Sequence, residues 1–375
     1  MPDQPTDWKL YTGQRVPHER ITELPPPPPW RPMRAAVTEE RPLRTLAQAQ
    51  QQAAADDAGQ GPSEAWVRRG RRFHATPAIV EVVNAALYLR RPLLVTGKPG
   101  SGKSSLVDAV AWELGLGRPL RWPVTSQSTL RDALYQYDAI GRLQDERSAL
   151  PGGPASPAAP DPADARRQLA ERIGRYIRLG PLGTALLPTG RPRALLVDEI
   201  DKSDVDLPND LLNVFEEGVF DIPELVRLGH DGPVRVFTAD DSQPEVALSR
   251  GRVQCAQFPL IVMTSNGERD FPAPFLRRCL QLRMPNPMGA AEEDDNPDGK
   301  RLREVVALHF KPEELQRAGD VVQHFIDRVA QGHQDLATDQ LLNAVYFVIE
   351  AHAKPAEERE RVLKTLEQAL VSLRA

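Results

Sequence analysis

Cysteine is scarce: two residues, Cys255 and Cys279, in a chain of 375. Two thiols fit no zinc-ligand spacing and are too few for the disulfide framework of a secreted protein. A reducing compartment is expected, and both side chains read as small buried hydrophobes. Long apolar runs are also missing. No stretch approaches the roughly 18 consecutive apolar residues of a membrane span, and the opening MPDQPTDWKLYTGQRV has no apolar core of an export signal. The expectation is a cytoplasmic protein with no membrane partner. An excess of positive charge is absent too: the net charge is −5, and only eight of the 47 basic side chains are lysines. An acidic chain without a nucleic-acid module argues against nucleic acid as its partner.

What is present is a hydrophobic share of 41%, enough at this length to bury a core without staples. The chain divides by composition. Residues 1–66 read as a Pro-rich, extended arm, with Pro25 to Pro29 and Trp30 forming a polyproline segment. Two readings stay open for it: a mobile tail, or a docking arm whose Trp8, Tyr11 and Trp30 pack on a neighbour or partner. Residues 67–286 read as an αβα domain, 287–300 as an acidic linker, and 301–375 as all-helical. Within the middle part, Thr76 and Pro77 start a helix over 78–89. Short apolar strands are expected at 92–96, 119–124, 193–199, 259–266 and 280–284. They alternate with helices such as 103–116 and 207–218, the latter stopped by Gly218, which predicts a parallel sheet covered on both faces. Residues 234–257 read as a hairpin or as two short strands around an irregular turn, and 151–164 as a mobile Pro/Ala/Gly loop.

Residues 97–104, Gly-Lys-Pro-Gly-Ser-Gly-Lys-Ser, satisfy GxxxxGK[ST] between an expected strand and an expected helix. The chemistry needs these residue types. Glycines let backbone N–H groups turn inward around phosphate oxygens, and the helix N-terminus adds its dipole. The loop Gly97, Lys98, Pro99, Gly100, Ser101, Gly102, Lys103, Ser104 and Ser105 is therefore the candidate nucleotide cradle. Lys103 would reach the β- and γ-phosphates, and the Ser104 hydroxyl would join an Mg²⁺ shell. The second element is LLVDE. Asp198 ends a buried strand, where it would hold Mg²⁺, and Glu199 would orient the attacking water. Together they read as a P-loop NTPase.

Glu199 after the metal-binding Asp198, the polar Asn266 ending a later strand, and the pair Arg277 and Arg278 resemble the AAA+ ATPases. Three stretches resemble the MoxR-like branch: RPLLVTGKPGSGKSSL, GPLGTALLPTG leading into LLVDEIDKSD, and TSNGERDFPAPFLRRCL. The resemblance implies an αβα three-layer domain followed by a small helical lid, with ATP and Mg²⁺ as cofactors. It implies that Asn266 is the sensor near the γ-phosphate. Arg278, or its neighbour Arg277, would be the finger acting on an adjoining subunit's nucleotide, in a homo-oligomeric ring, commonly a hexamer. Hydrolysis would then remodel or activate a protein client, such as a von Willebrand factor A protein. The alternatives are an ATP-dependent switch gating an effector, as in bacterial conflict systems, and, behind it, a nucleic-acid motor. The expected lid helix at 337–347 lacks the second sensor arginine, leaving Arg269 as one substitute. Residues 125–143 and 234–257 fall where the family carries insertions. Tyr135 and Tyr137 are open between gripping a substrate and ordinary packing, and Phe220, Ile222 and Leu225 read as core.

Overall fold

A computed structural model describes residues 8–31, 33, 35–37, 48, 51, 64–148, 161–285, 300–319, 322, 323, 326 and 338–352. Its strands, in chain order, are β1 (Leu93–Thr96), β2 (Leu120–Pro123), β3 (Tyr135–Tyr137), β4 (Ile177–Leu179), β5 (Ala194–Asp198), β6 (Val219–Asp221), β7 (Pro233–Phe237), β8 (Glu245–Ser249), β9 (Arg252–Gln254), β10 (Leu260–Ser265) and β11 (Leu280–Arg283). Five of them form one sheet in the order β11-β1-β10-β5-β2, parallel at every pairing.

Period-two alternation splits these strands between two cores. Leu93, Val95, Leu196 and Val262 face one, together with the helices Ala65–Arg71, Pro77–Leu89 and Lys103–Glu113. Leu94, Leu195, Val197, Ile261 and Met263 face the other, with the helices Pro181–Ala185, Leu207–Glu217 and Ala273–Arg278. All six residues of β10 are buried, as a strand in the middle of such a sheet must be. The fold is the expected αβα parallel sheet. Its helices begin and end where side-chain chemistry says. Thr76 accepts from the Ile79 N–H with Pro77 at the first position, and Gly218, at φ +62°, ends Leu207–Glu217 in the left-handed region. Phe220, Ile222, Leu225, Cys255 and Cys279 are buried in the second core, and burial pushes both thiols up to about 12.

Beyond the main sheet lies a second, four-stranded one, β3-β4-β7-β8. The hairpin expected in 234–257 is β7–β8, antiparallel throughout, while β9 leaves it to pair with β6. The segment from residue 125 onward holds β3 between the helices Leu130–Leu134 and Ala139–Ser148. Tyr135 is buried in the second core, so packing is what it does. The helix Pro162–Gly174 starts inside the stretch read as a loop, because Asp161 caps it through the Ala163 N–H at 3.2 Å. Residues 149–160 lie outside the described residues.

The mobile-tail reading of the arm fails over residues 8–31. Leu10, Tyr11 and Ile21 are buried in the first core. The Asn84 carboxamide receives the N–H groups of Leu10 and Tyr11 at 2.8 and 3.0 Å and donates to the Tyr11 carbonyl at 2.7 Å, in the manner of a paired strand. Trp8 stands edge-on to Tyr88. Tyr11 thus packs on its own chain, whereas Trp30 remains 73% exposed. On the C-terminal side, the helices Lys300–Ala307 and Thr338–His352 contribute Leu302, Val306, Leu341, Val345 and Val348 to a third, smaller cluster. Residues 286–299 and 353–375 lie outside the described residues. Among the described residues, no helix is long and apolar enough to cross a membrane.

Candidate functional site

Because the main sheet is parallel, β1, β5 and β10 end at the same edge, and the loops leaving those ends build one site. The glycine loop follows β1. Gly100 and Gly102 sit at φ +74° and +86°, a region open to glycine at little cost, and the helix starts at Lys103. Lys98, Pro99 and Gly100 form the exposed tip. A Cβ added at Gly97 would meet Met284 Cβ and Ser101 Oγ at 3.1 and 3.2 Å. Ser105 continues the first turn, with its N–H on the Gly102 carbonyl.

Lys103 is 8% exposed. Its ammonium donates to the carbonyls of Gly97 and Lys98 at 2.8 and 2.9 Å and to Asn266 Oδ1 at 2.9 Å. Burial holds it below the usual lysine range, against the attraction of Asp201, Asp198 and Glu199. One residue on, Ser104 Oγ donates to Asp198 Oδ1 at 2.8 Å, and Thr264 Oγ1, from β10, donates to the same oxygen at 2.6 Å. Thr264 in turn accepts from the Glu199 N–H at 2.8 Å. Glu199 occupies the left-handed region at φ +61°, a conformation that costs a non-glycine residue about 1 kcal/mol and clusters at functional sites. Its carboxylate accepts from Lys202 at 2.7 Å in a solvent-exposed pair.

The sequence-predicted residues Lys103, Ser104, Asp198, Glu199 and Asn266 thus converge on one edge. Three more belong with them: Thr264, Lys202 and Asp201. Thr264 was legible as the polar end of an apolar strand. Asp201 is the third acid of DEIDKSD, and nothing in the sequence marks it as an acceptor for the loop after β10. The two arginines stand elsewhere. Arg278 pairs with Glu216 of the helix Leu207–Glu217 and donates to the Pro274 carbonyl. Arg277 is exposed, and its carbonyl accepts from Arg91. Among the described residues, neither guanidinium bonds to Lys103, Asp198 or Glu199 of its own chain. Arg269 donates to the Ser203 carbonyl at 2.7 Å, on the loop after Glu199.

The donor set suits a nucleotide-bound divalent cation. Among the described residues there is no cluster of three or more His, Cys, Asp or Glu able to cage a metal. Mg²⁺ asks for less: one or two protein oxygens, with phosphate and water completing its shell, and the Ser104 hydroxyl beside the Asp198 carboxylate offers those. Ser101 Oγ, buried in the phosphate loop, has no hydrogen-bond partner among the described residues, as expected of a donor placed for a ligand oxygen.

No family model matches the chain, and no curated protein does. Among solved structures it is similar to PCH-2 of C. elegans, at 13% identity and a TM-score of 0.36, over 83% of this chain and 73% of that one. It is also similar to NtrX from Brucella abortus in complex with ADP, at 14% identity and a TM-score of 0.33, over 81% of this chain and 53% of that one. The chain therefore spans about half the length of NtrX.

Proposed function

We propose that the chain is an AAA+ ATPase of the MoxR-like type that hydrolyses ATP in an oligomeric ring to remodel or activate a protein partner. One observation carries this reading: the GxxxxGKS loop, the Asp198–Glu199 pair and Asn266 meet at one edge of a parallel sheet, where Lys103 donates to Asn266 and Ser104 to Asp198. Lys103 exchanges backbone carbonyls for β- and γ-phosphate oxygens as ATP enters, while loop N–H groups and the helix start take the remaining phosphate charge. Ser104 and Asp198 would hold Mg²⁺, which would neutralise charge on the phosphoryl group. Glu199 needs only to leave an exposed, water-screened partner to orient and deprotonate the attacking water. Asn266, already turned toward Lys103, fixes that water and the γ-phosphate.

Arg278, or Arg277 beside it, completes the site of the adjoining subunit, where a guanidinium offsets charge developing on the transferred phosphoryl oxygens. The finger and the site it serves then belong to different copies, so assembly and turnover are linked. A von Willebrand factor A protein is the client class the resemblance suggests.

The test is mass photometry of Glu199→Gln with and without Mg·ATP, with Lys103→Ala as control. The expected result is a species of about six subunits that needs ATP and is absent in Lys103→Ala. Turnover restored on mixing Arg278→Ala with Glu199→Gln subunits supports a finger acting in trans. ATP affinity of Lys103→Ala equal to wild type overturns the phosphate-loop assignment.

A further inference from the structure

We infer that Asp201 is the positioning residue of this site: it clamps the turn 266–268 so that the Asn266 carboxamide faces Lys103. The inference rests on the ATPase reading and gives that site a component which neither the motif nor the resemblance assigned.

Asp201 sits in the one-turn 3-10 helix Ile200–Lys202 directly after β5, 4% exposed. One of its oxygens, Oδ2, accepts from the backbone N–H of Asn266 at 2.8 Å and of Glu268 at 3.2 Å. The intervening Gly267 stands at φ +79° and gives its N–H to Ser265 Oγ at 3.0 Å. Three successive N–H groups at the end of β10 are therefore satisfied by side chains, two of them by one buried carboxylate on the neighbouring strand's loop. A charged acceptor holding two backbone donors fixes a turn more firmly than neutral partners would. The turn it fixes carries the carboxamide that accepts from Lys103 at 2.9 Å.

The second oxygen, Oδ1, is buried and without a hydrogen-bond partner among the described residues. The bonds Asp201 makes are to the turn 266–268, so it acts through Asn266. Chain topology makes this possible, because β5 and β10 are adjacent and parallel, which puts their exit loops side by side.

The experiment is a double-mutant cycle on the full chain: Asp201→Ala, Asn266→Ala and both together, with ATP affinity, kcat and melting temperature read for each. Asp201→Ala should lower kcat about tenfold or more while ATP affinity changes less than about threefold. In the Asn266→Ala background it should add little, because both substitutions break one linkage. Asp201→Asn, which keeps an acceptor for the turn, should recover part of the loss. Fully additive effects, or an affinity loss as large as that in kcat, overturn the inference. Hydrogen exchange of the amides at 266 and 268 gives a readout independent of turnover: faster exchange in Asp201→Ala than in wild type is required, and equal rates overturn the clamp. A wild-type chain that fails to bind ATP sinks the ATPase reading instead, and the exchange rates still decide whether Asp201 holds the turn.

Discussion

The two ends of the helix Lys103–Glu113 treat carboxylates in opposite ways. At its far end Glu113 is fully buried and saturated. The N–H of Thr12 at 2.5 Å, the Thr12 hydroxyl at 2.8 Å and the Gly13 N–H at 3.1 Å all meet Oε1, and the Arg15 N–H meets Oε2 at 2.9 Å. His18 Nε2 lies 3.4 Å away. At the glycine-loop end, among the described residues, Asp198 accepts two hydroxyls on one oxygen, the Glu199 carboxylate pairs with an exposed lysine, and Asp201 has one oxygen without a partner. The contrast separates architecture from chemistry. A carboxylate that fastens the chain uses every lone pair it can, whereas those beside the glycine loop keep lone pairs to spare, and the fold tolerates their mutual repulsion.

If that division is right, the largest stability loss comes from the saturated end. Glu113→Gln keeps the shape but removes the charge and turns an amide N–H₂ toward backbone donors. It should cost about 3 kcal/mol, as expected when charged, buried hydrogen bonds are lost, and calorimetry would read this as a lower melting temperature. ATP affinity well below that temperature should be unchanged. A loss of affinity with no loss of stability would break the comparison, because it would put Glu113 in the site's chemistry.

Acid should reproduce part of that loss. Burial alone would raise the Glu113 carboxyl; the hydrogen bonds from His18, Thr12 and Arg15 outweigh it and hold the group below the usual glutamate range. A folded pKa below the unfolded one stabilises the fold at neutral pH, and that contribution is lost as pH falls through about 4.3 toward the folded value. Asp108, on the same helix, works the other way. Burial lifts its carboxyl above the usual range despite Arg121 and Arg69, so acid relieves a cost there. The gap in melting temperature between wild type and Glu113→Gln cancels the Asp108 contribution. It should narrow steadily as pH drops below about 4; a gap that widens would reverse the sign argued here.

The same two ends differ in how much the sequence reveals. The phosphate-loop end is legible because its chemistry is local: GKPGSGKS is contiguous, and Asp198 and Glu199 end one apolar strand. Strand periodicity also exposes the five parallel strands, since each must be apolar on both faces to lie between two helical layers. The far end is illegible because its partners are remote in the chain. Nothing near Glu113 announces that residues 12–18 will supply its donors, and a Pro-rich arm with few apolar residues reads as a tail until Asn84 and Glu113 are seen to hold it. The second sheet was missed for a related reason. β3 and β4 are three residues each, too short to display an alternation, and they acquire strand form only by pairing with each other and with β7. Asp201 falls between these cases: it is adjacent to a recognised motif, but its acceptor role depends on a loop 65 residues later.

The smallest stability effect, and the one that sharpens the contrast most, belongs to Asp198→Asn. The amide oxygen can still accept from Ser104 and Thr264, so the local bonds survive. What disappears is one of three negative charges gathered around Lys103. Less repulsion among Asp198, Glu199 and Asp201 favours the folded state, while Lys103 gives up part of its counter-charge, so the net change should be a gain of no more than about 1 kcal/mol. Hydrolysis should nevertheless fall about a hundredfold, because the carboxylate offered to Mg²⁺ is gone. Melting temperature and kcat would thus move in opposite directions. A stability loss as large as that of Glu113→Gln would mean that Asp198 fastens the sheet edge as Glu113 fastens the arm, and the division between the two ends of the helix would not hold.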